Sequence, residues 1–371
     1  MELKVNSKVL DGCLSSLKRI TPSRSSIEVL TNLLFKVYED HMTISSSDME
    51  IFMEIQIPCV SDGVAVFMVP AKYLFTLASG LPDQELSFVF EENNIKVSYD
   101  SGHFMLPIVH EVKLFPEPYV KGEDVVVNRL SAEVFSRSFA LIAPFTEKPD
   151  DSIDAVYSSG YFEFSDKGVC VVGTNGNGLA LREISLENVT PTSFLVSAKA
   201  VSMLRIFNSL PTDQMLTITS DDRNVFIESD LVRLSMRRTS ARFPNFRSVI
   251  PDSANVSVEI DRKSLMSSLQ RMDSISYNHY ILADFKESNV NLIAENLDFG
   301  IHSEDAVSCD VEGDGITVGF NGMFLHSAAK VLGGDRICLD FVNSSSAAKL
   351  YPVANNDSYK DLILLMPMAL Q

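Results

Sequence analysis

A strand followed by an amphipathic helix recurs three times in this chain, at intervals of about 125 residues. A recurrence that long points to a chain of like domains, each with its own small core, rather than one continuous core. In the first copy the alternation around Leu3, Lys4 and Val5 leads to Leu10, Leu14 and Leu17. In the second, Val125, Val126 and Val127 lead to Phe135, Phe139 and Ile142, and in the third Val256, Ser257 and Val258 lead to Leu265, Leu269 and Met272. Each apolar set has i, i+4, i+7 spacing, which is one face of a helix.

Halfway through each copy a second unit repeats. Leu74, Val201 and Phe324 hold equivalent places in a further short helix, stopped by Leu81-Pro82, Leu210-Pro211 and Gly333-Gly334. Period-two runs follow, turned at Asn93-Asn94 in the first copy and at Asp221-Asp222 in the second. The expected class is α+β, with each copy built of two helices packed on antiparallel sheet. Proline, glycine and charge accumulate near Pro116–Glu123 and Pro251–Ala254, which sets domains at 1–122, 123–251 and 252–371. Chance recurrence in an ordinary α+β protein is the plain alternative.

Charge separates along the same pattern. The 371 residues carry a net charge of −18, which by itself argues against nucleic acid. Yet the six helical segments 6–20, 71–80, 131–142, 198–210, 261–274 and 322–332 hold Lys8, Lys18, Arg19, Lys72, Arg137, Lys199, Arg205, Arg262, Lys263, Arg271 and Lys330 against Asp11, Glu133, Asp261 and Asp273. The helices are therefore basic and the rest of the chain strongly acidic. Two readings stay open: a surface for a polyanion held by its backbone, or helix lysines and arginines that serve solubility and the helix dipole.

Chemistry-bearing constellations do not emerge. The five cysteines are scattered without a CxxC, the six histidines lack metal-ligand spacing, and neither a metal nor a cofactor is expected. Gly173-Thr174-Asn175-Gly176-Asn177-Gly178 has the look of a phosphate loop, but it joins two β-like runs and reads as a tight hairpin turn. An acidic hydrolase or carbohydrate-active enzyme would need paired acids at defined spacing, and Glu91-Glu92 and Asp221-Asp222 sit in turns. A generic interaction scaffold with no DNA partner is the other alternative. No apolar run is long enough to span a membrane, and the N-terminus lacks a signal-peptide core, so a cytoplasmic protein is expected. The C-terminus, Leu362 to Leu370, is apolar almost to its end. It reads either as a buried edge strand or as part of a surface that receives something, for which methionine is suited.

These features converge on a family. Arg24 with Leu30-Thr31-Asn32-Leu33-Leu34, Val69-Pro70-Ala71-Lys72, Gly173 to Gly176 with Leu179-Ala180, Phe243-Pro244-Asn245-Phe246-Arg247 and the closing Met366-Pro367-Met368 appear in order over the whole chain. In them the sequence resembles the bacterial DNA polymerase III β-subunit family, the DNA sliding clamps. The resemblance implies three similar domains per chain and a head-to-tail homodimer closed into a ring, with helices inside and sheets outside. It implies a non-catalytic processivity factor for replication that encircles double-stranded DNA without sequence preference. Arg24 and Lys72 would touch phosphates, with Lys199 and Arg205 added from charge and position. Asp154, Ala155 and Val156 stand where relatives often carry a basic residue and aromatics, so DNA contact there is not expected. The resemblance also implies a pocket for short linear motifs of polymerase subunits, clamp loader and repair proteins. The matching positions are Tyr157, Thr174, Gly176, Leu179, Pro244, Val249, Asn321, Phe324, Leu364, Met366, Pro367 and Met368. Asn177 and Gly178 replace a His-Arg pair of some relatives and Ser248 an arginine, which makes the pocket rim less basic.

Overall fold

The computed structural model describes residues 1–146, 154–209, 214–354, 356 and 358–370, with the side chains of 205, 208 and 209 excepted. Among these, six α-helices occur: α1 (Ser7–Leu17), α2 (Ala71–Ala78), α3 (Ala132–Ile142), α4 (Ala198–Met203), α5 (Arg262–Asp273) and α6 (Gly322–Val331). Each follows directly on a strand: Glu2–Asn6, Ala65–Pro70, Val126–Ser131, Thr192–Ser197, Val256–Asp261 and Ile316–Asn321. The junction residue explains the abrupt switch. Asn6, Ser131, Ser197, Asp261 and Asn321 keep extended backbone or end the strand while their side-chain oxygens accept a first-turn N–H, and only α2 opens on a proline, Pro70. Each such cap is worth about 1 kcal/mol.

The helices lie where the periodicity puts them, with one revision. α4 ends at Met203 and tightens into a 3-10 turn, Leu204–Ser209, so the expected helix over 198–210 is half that length. The stop at Leu210-Pro211 lies outside the described residues.

The chain forms two compact units. The first comprises Met1–Val134 and Ile206–Arg238. It holds a five-stranded antiparallel sheet in the order Val60–Ser61, Glu2–Asn6, Glu85–Phe90, Asn94–Tyr99, Gly102–Pro107. An eight-stranded sheet runs Val126–Ser131, Met215–Ser220, Asn224–Glu228, Val232–Arg237, Ile51–Pro58, His41–Ser47, Asn32–Val37, Ala65–Pro70. α1 buries Leu10, Cys13, Leu14 and Leu17 and packs on α2. Strand Glu2–Asn6 alternates buried and exposed positions, as a sheet with one wet face requires.

The second unit comprises Phe135–Arg205 and Thr239–Gln371. One twelve-stranded antiparallel sheet spans it, and Gly178–Ile184 pairs with Tyr359–Leu365 as its fourth and fifth strands. Stacked and edge-on phenylalanines (Phe135, Phe139, Phe162, Phe194) fill the core under α3, and Phe285, Phe320 and Phe341 fill it beside the paired α5 and α6. The apolar C-terminus is not an edge strand. Tyr359–Leu365 is flanked by Gly178–Ile184 on one side and Ala348–Pro352 on the other, and only Met366 onward leaves the sheet. Ile363, Leu364 and Leu365 therefore satisfy the buried reading, while Met366 and Leu370 are exposed.

Both units divide the second sequence repeat between them, because sheet pairing joins Val232–Arg237 to Ile51–Pro58 and Gly178–Ile184 to Tyr359–Leu365. No described helix is long and apolar enough to cross a membrane.

Candidate functional site: the groove beside the C-terminal tail

The twelve residues expected around a docking pocket all belong to the second unit. The hairpin turn Thr174–Gly178 organises one side of it. Asn175 Oδ1 accepts the N–H groups of Asn177 (3.1 Å) and Gly178 (2.9 Å), and the Thr174 hydroxyl accepts from Gly176 and donates to the Gly178 carbonyl at 2.8 Å. Gly176 has φ +81°, and a Cβ there would lie 3.6 Å from the Tyr157 ring. The short Asn/Gly-rich turn is thus a hairpin turn, as its flanking alternation implies, and not a phosphate loop.

The C-terminal tail crosses this turn. Met366 N–H donates to the Asn177 carbonyl at 2.8 Å, and two residues on Met368 N–H donates to the Gly319 carbonyl at 2.8 Å. Two backbone bonds thereby pin an otherwise apolar tail end across both strands. Met366 is half exposed, and Pro367 and Met368 are partly buried. Asn321, two residues past the Met368 bridge, caps α6 through Oδ1 to the Phe324 N–H at 3.1 Å and so fixes the turn that carries Phe324.

Beneath the tail lies an apolar cluster. Leu179 and Leu364 are cross-strand partners and pack with Cys170, Val172, Leu181 and Phe246. The linker Phe243–Ile250 covers this cluster: Phe243 stacks on Tyr161 with centroids 4.6 Å apart and Phe246 meets both rings edge-on. Pro244 and Val249 stand exposed on that linker, Val249 at 56%. Tyr161, Phe243, Phe246 and Leu181 form or pack on this cluster and are not among the expected site residues; Phe243 and Phe246 enter only through the Phe243-Pro244-Asn245-Phe246 motif.

Departures from the family pattern have local causes. Asp154 Oδ1 accepts the Val156 N–H at 2.9 Å, and Val156 is buried, so the segment Asp154–Val156 builds the turn that presents Tyr157. A Cβ on Gly178 would stand 2.8 Å from the Phe145 ring, so there is no room for a side chain. The rim carries Arg247, paired with Glu163, whose carboxylate holds the guanidinium's pKa up.

On the opposite face of the same two strands, Arg182 and Asp361 form a bidentate buried pair, both bonds 2.6 Å, with Tyr359 stacked on the guanidinium at 4.1 Å. This pair also escaped sequence reading, since its members are far apart in the chain.

Of the four expected DNA contacts, Arg24 and Lys72 lie in the first unit and are exposed, the former between α1 and the 3-10 turn Glu28–Thr31, the latter in the first turn of α2. Lys199, in the first turn of α4, is half-buried, and the side chain of Arg205 lies outside the described residues. All five cysteines are buried and none is disulfide-bonded. Burial raises each thiol's pKa, to about 11 for Cys59 and Cys309 and about 12 for Cys170. Among the described residues no group of three or more His, Cys, Asp or Glu is placed to hold a metal.

Comparison with known proteins completes the picture. Residues 1–116 match the model of the DNA polymerase III beta subunit N-terminal domain, and residues 247–368 match that of its C-terminal domain. The beta sliding clamp of Synechococcus elongatus is 22% identical over the whole of both chains. The crystal structure of the DNA polymerase III beta subunit from Thermotoga maritima superposes with a TM-score of 0.87 at 23% identity, covering all of both chains. That of the Pseudomonas aeruginosa sliding clamp bound to griselimycin does so with 0.86 at 19%, again over all of both. The chain belongs to the DNA polymerase III beta-subunit family, the sliding clamps.

Proposed function

We propose that two copies of this chain close head to tail into a ring around duplex DNA, with the helices α1–α6, together net positive, lining the hole and the acidic sheets outside. Domains 1–122, 123–251 and 252–371 would be its three repeats, and the first of one copy would meet the third of the other. Closure matters because the same contact left open would grow a filament. The surface supports a second copy. Leu297 and Phe299, at the tip of the hairpin between Asn289–Asn296 and Ile301–Glu312, are 84% and 78% exposed. Gly102–Pro107 is the terminal strand of its five-stranded sheet, with Met105 exposed. Bare strand edges and large apolar patches mark surfaces that expect a partner.

In this reading Arg24, Lys72, Lys199 and Arg205 make loose, salt-sensitive phosphate contacts, and the topology rather than affinity retains the DNA. The ring works in the cytoplasm, has no catalytic activity of its own, and tethers polymerase, clamp loader and repair proteins through short peptides. The observation that carries partner docking is the tail itself: Met366, Pro367 and Met368 held by two backbone bonds beside the Leu179–Leu364 cluster. The griselimycin complex of the P. aeruginosa clamp supports a ligand-accepting surface in the family.

The test is topological. The protein is loaded onto nicked circular DNA, its native mass is measured, and the circle is then linearised. A ring gives twice the 41.1 kDa chain mass and slides off only after linearisation. A monomer, or a complex indifferent to linearisation, would refute the reading.

A further inference from the structure

The apolar face does not end at the tail. Two residues farther along each strand from the hairpin turn, Leu181 pairs with Leu362, and with Ile250 of the linker they line an open cleft of about 500 Å³. Two residues of strand are about 7 Å, one side-chain step of an extended peptide. Leu181 belongs to the Leu179–Leu364 cluster and Ile250 and Leu362 pack against it, so the cleft adjoins that cluster. Tyr351 lines the cleft together with Lys349, Lys360 and Glu183, the last being the cross-strand partner of Lys360. Lys349 rests over the Tyr351 ring and lies 3.8 Å from Asp340, while Lys360 is exposed.

The chain contains its own control for this cleft. In the first unit the turn Ser47–Ile51 repeats most bonds of the turn Thr174–Gly178: Asp48 Oδ1 accepts from Glu50 and Ile51 N–H, Ser47 Oγ accepts from Met49 N–H, and Arg237 N–H donates to the Glu50 carbonyl as Met366 does to Asn177. Counting from the two turns, the positions matching Leu181 and Leu362 are Glu54 and Arg233. They are cross-strand partners 3.8 Å apart as an ion pair, and the recess beside them is lined by Lys36, His41 and Asp230. The first unit is charged at this pair, whereas in the second both members are apolar, Leu181 buried at 3% exposure and Leu362 half-buried beside the cleft.

We propose that this cleft is an extension of the docking groove, and that it seats one further apolar side chain of the docked peptide, with an adjoining carboxylate of that peptide facing Lys360 and Lys349. The inference rests on the docking function proposed above. A fully buried aliphatic side chain is worth about 1.5–3 kcal/mol, so an extended peptide gains roughly tenfold or more over its core.

The experiment uses three fluorescein-labelled peptides: a clamp-binding core peptide from a polymerase subunit, the same core lengthened by Leu-Asp at its C-terminus, and the core lengthened by Asp-Leu at its N-terminus. Fluorescence anisotropy on the full chain gives each affinity, and the readout is the ratio of lengthened to core peptide on the same protein. One lengthened peptide is expected to bind about tenfold tighter. Leu362→Ser should bring that ratio to about one, and Lys360→Glu should reduce it severalfold. Lengthened peptides that bind no tighter than the core, or a gain that survives Leu362→Ser, would overturn the inference while leaving the groove in place. A core peptide that does not bind at all would instead remove the docking function on which the inference stands.

Discussion

Met49 and Gly176 hold the same position in two copies of one turn, with φ of 76° and 81°. One is a glycine and the other bears a side chain, so the turn itself tolerates a Cβ at a cost of roughly 1–2 kcal/mol. What differs is the neighbour. Tyr157 stands over Gly176, its ring within 3.6–3.9 Å of a Cβ, and Tyr157 is itself expected in the docking groove. Gly176→Met should therefore lower stability by no more than about 2 kcal/mol. The same change should weaken a docked peptide by tenfold or more, because the new side chain displaces the Tyr157 ring. Thermal unfolding and peptide anisotropy on one preparation separate the two effects, and a variant with unchanged peptide affinity would take Tyr157 and Gly176 out of the groove.

The tail makes a sharper case. Leu365 is the last residue of its strand, and residues after it contribute two backbone bonds but little buried surface. Deleting Met366–Gln371 should leave the fold standing, with a modest drop in melting temperature. Partner-peptide binding should fall below detection, since the wall that faces the Leu179–Leu364 cluster is gone. A peptide that still binds with full affinity would refute the site.

Much of this was legible beforehand, and the reasons are local. The first strand-to-helix switch of each repeat is written in a capping residue followed by an i, i+4, i+7 apolar set, as at Asn6 before Leu10, Leu14 and Leu17. The Gly173–Gly178 turn was readable because alternation on both sides of it excludes a helix. What resisted reading depends on partners far along the chain. Leu181 and Leu362 each look like ordinary alternating strand residues, and only their pairing reveals an apolar step beside the cleft. Met366–Met368 could be seen as apolar, but whether it was an edge strand or a receptive surface turned on Asn177 and Gly319, more than a hundred and about fifty residues away. The shortening of α4 is unannounced for another reason: no breaker residue stands at Met203, where the α-helix gives way to the 3-10 turn Leu204–Ser209.

The Arg182–Asp361 pair should behave as a buried ion pair does. Its two bonds join the paired strands Gly178–Ile184 and Tyr359–Leu365, and both side chains are nearly inaccessible. Asp361→Asn leaves the guanidinium without its counter-charge and is expected to cost about 3–5 kcal/mol in denaturant unfolding. The double change Arg182→Met with Asp361→Leu removes both charges and should recover most of that loss. Should the single change prove neutral, the pair carries no weight in holding these strands together.

Acid sensitivity has a traceable source at α5. Arg271 and, after it, Ser268 hydrogen-bond Asp305 and hold its carboxyl below the usual range. A carboxylate whose pKa is lower folded than unfolded stabilises the fold above the ordinary carboxylate pKa, and that contribution disappears as pH falls through the lower folded value. Arg271→Met should thus lower the melting temperature at neutral pH, with the difference from wild type narrowing steadily as the solution is taken toward strongly acidic pH. A gap that stays constant with pH would assign the loss to packing instead.

The DNA contacts are best tested through salt. Arg24 and Lys72 are exposed, and among the described residues neither pairs with a carboxylate, so each can meet a phosphate without first breaking an ion pair inside the protein. A contact that neutralises one phosphate steepens the fall of log K with log salt by about 0.9. If both residues contact phosphates, Arg24→Glu with Lys72→Glu should flatten the slope by about two such steps. Binding to short linear duplex should weaken most at low salt, with stability unchanged by thermal unfolding. Retention on nicked circles should fall less than binding to linear duplex, because a closed ring does not need affinity to stay on. Equal losses on circular and linear DNA would mean that the protein holds DNA by its charge alone, and an unchanged salt slope would mean that these two side chains do not face the phosphates.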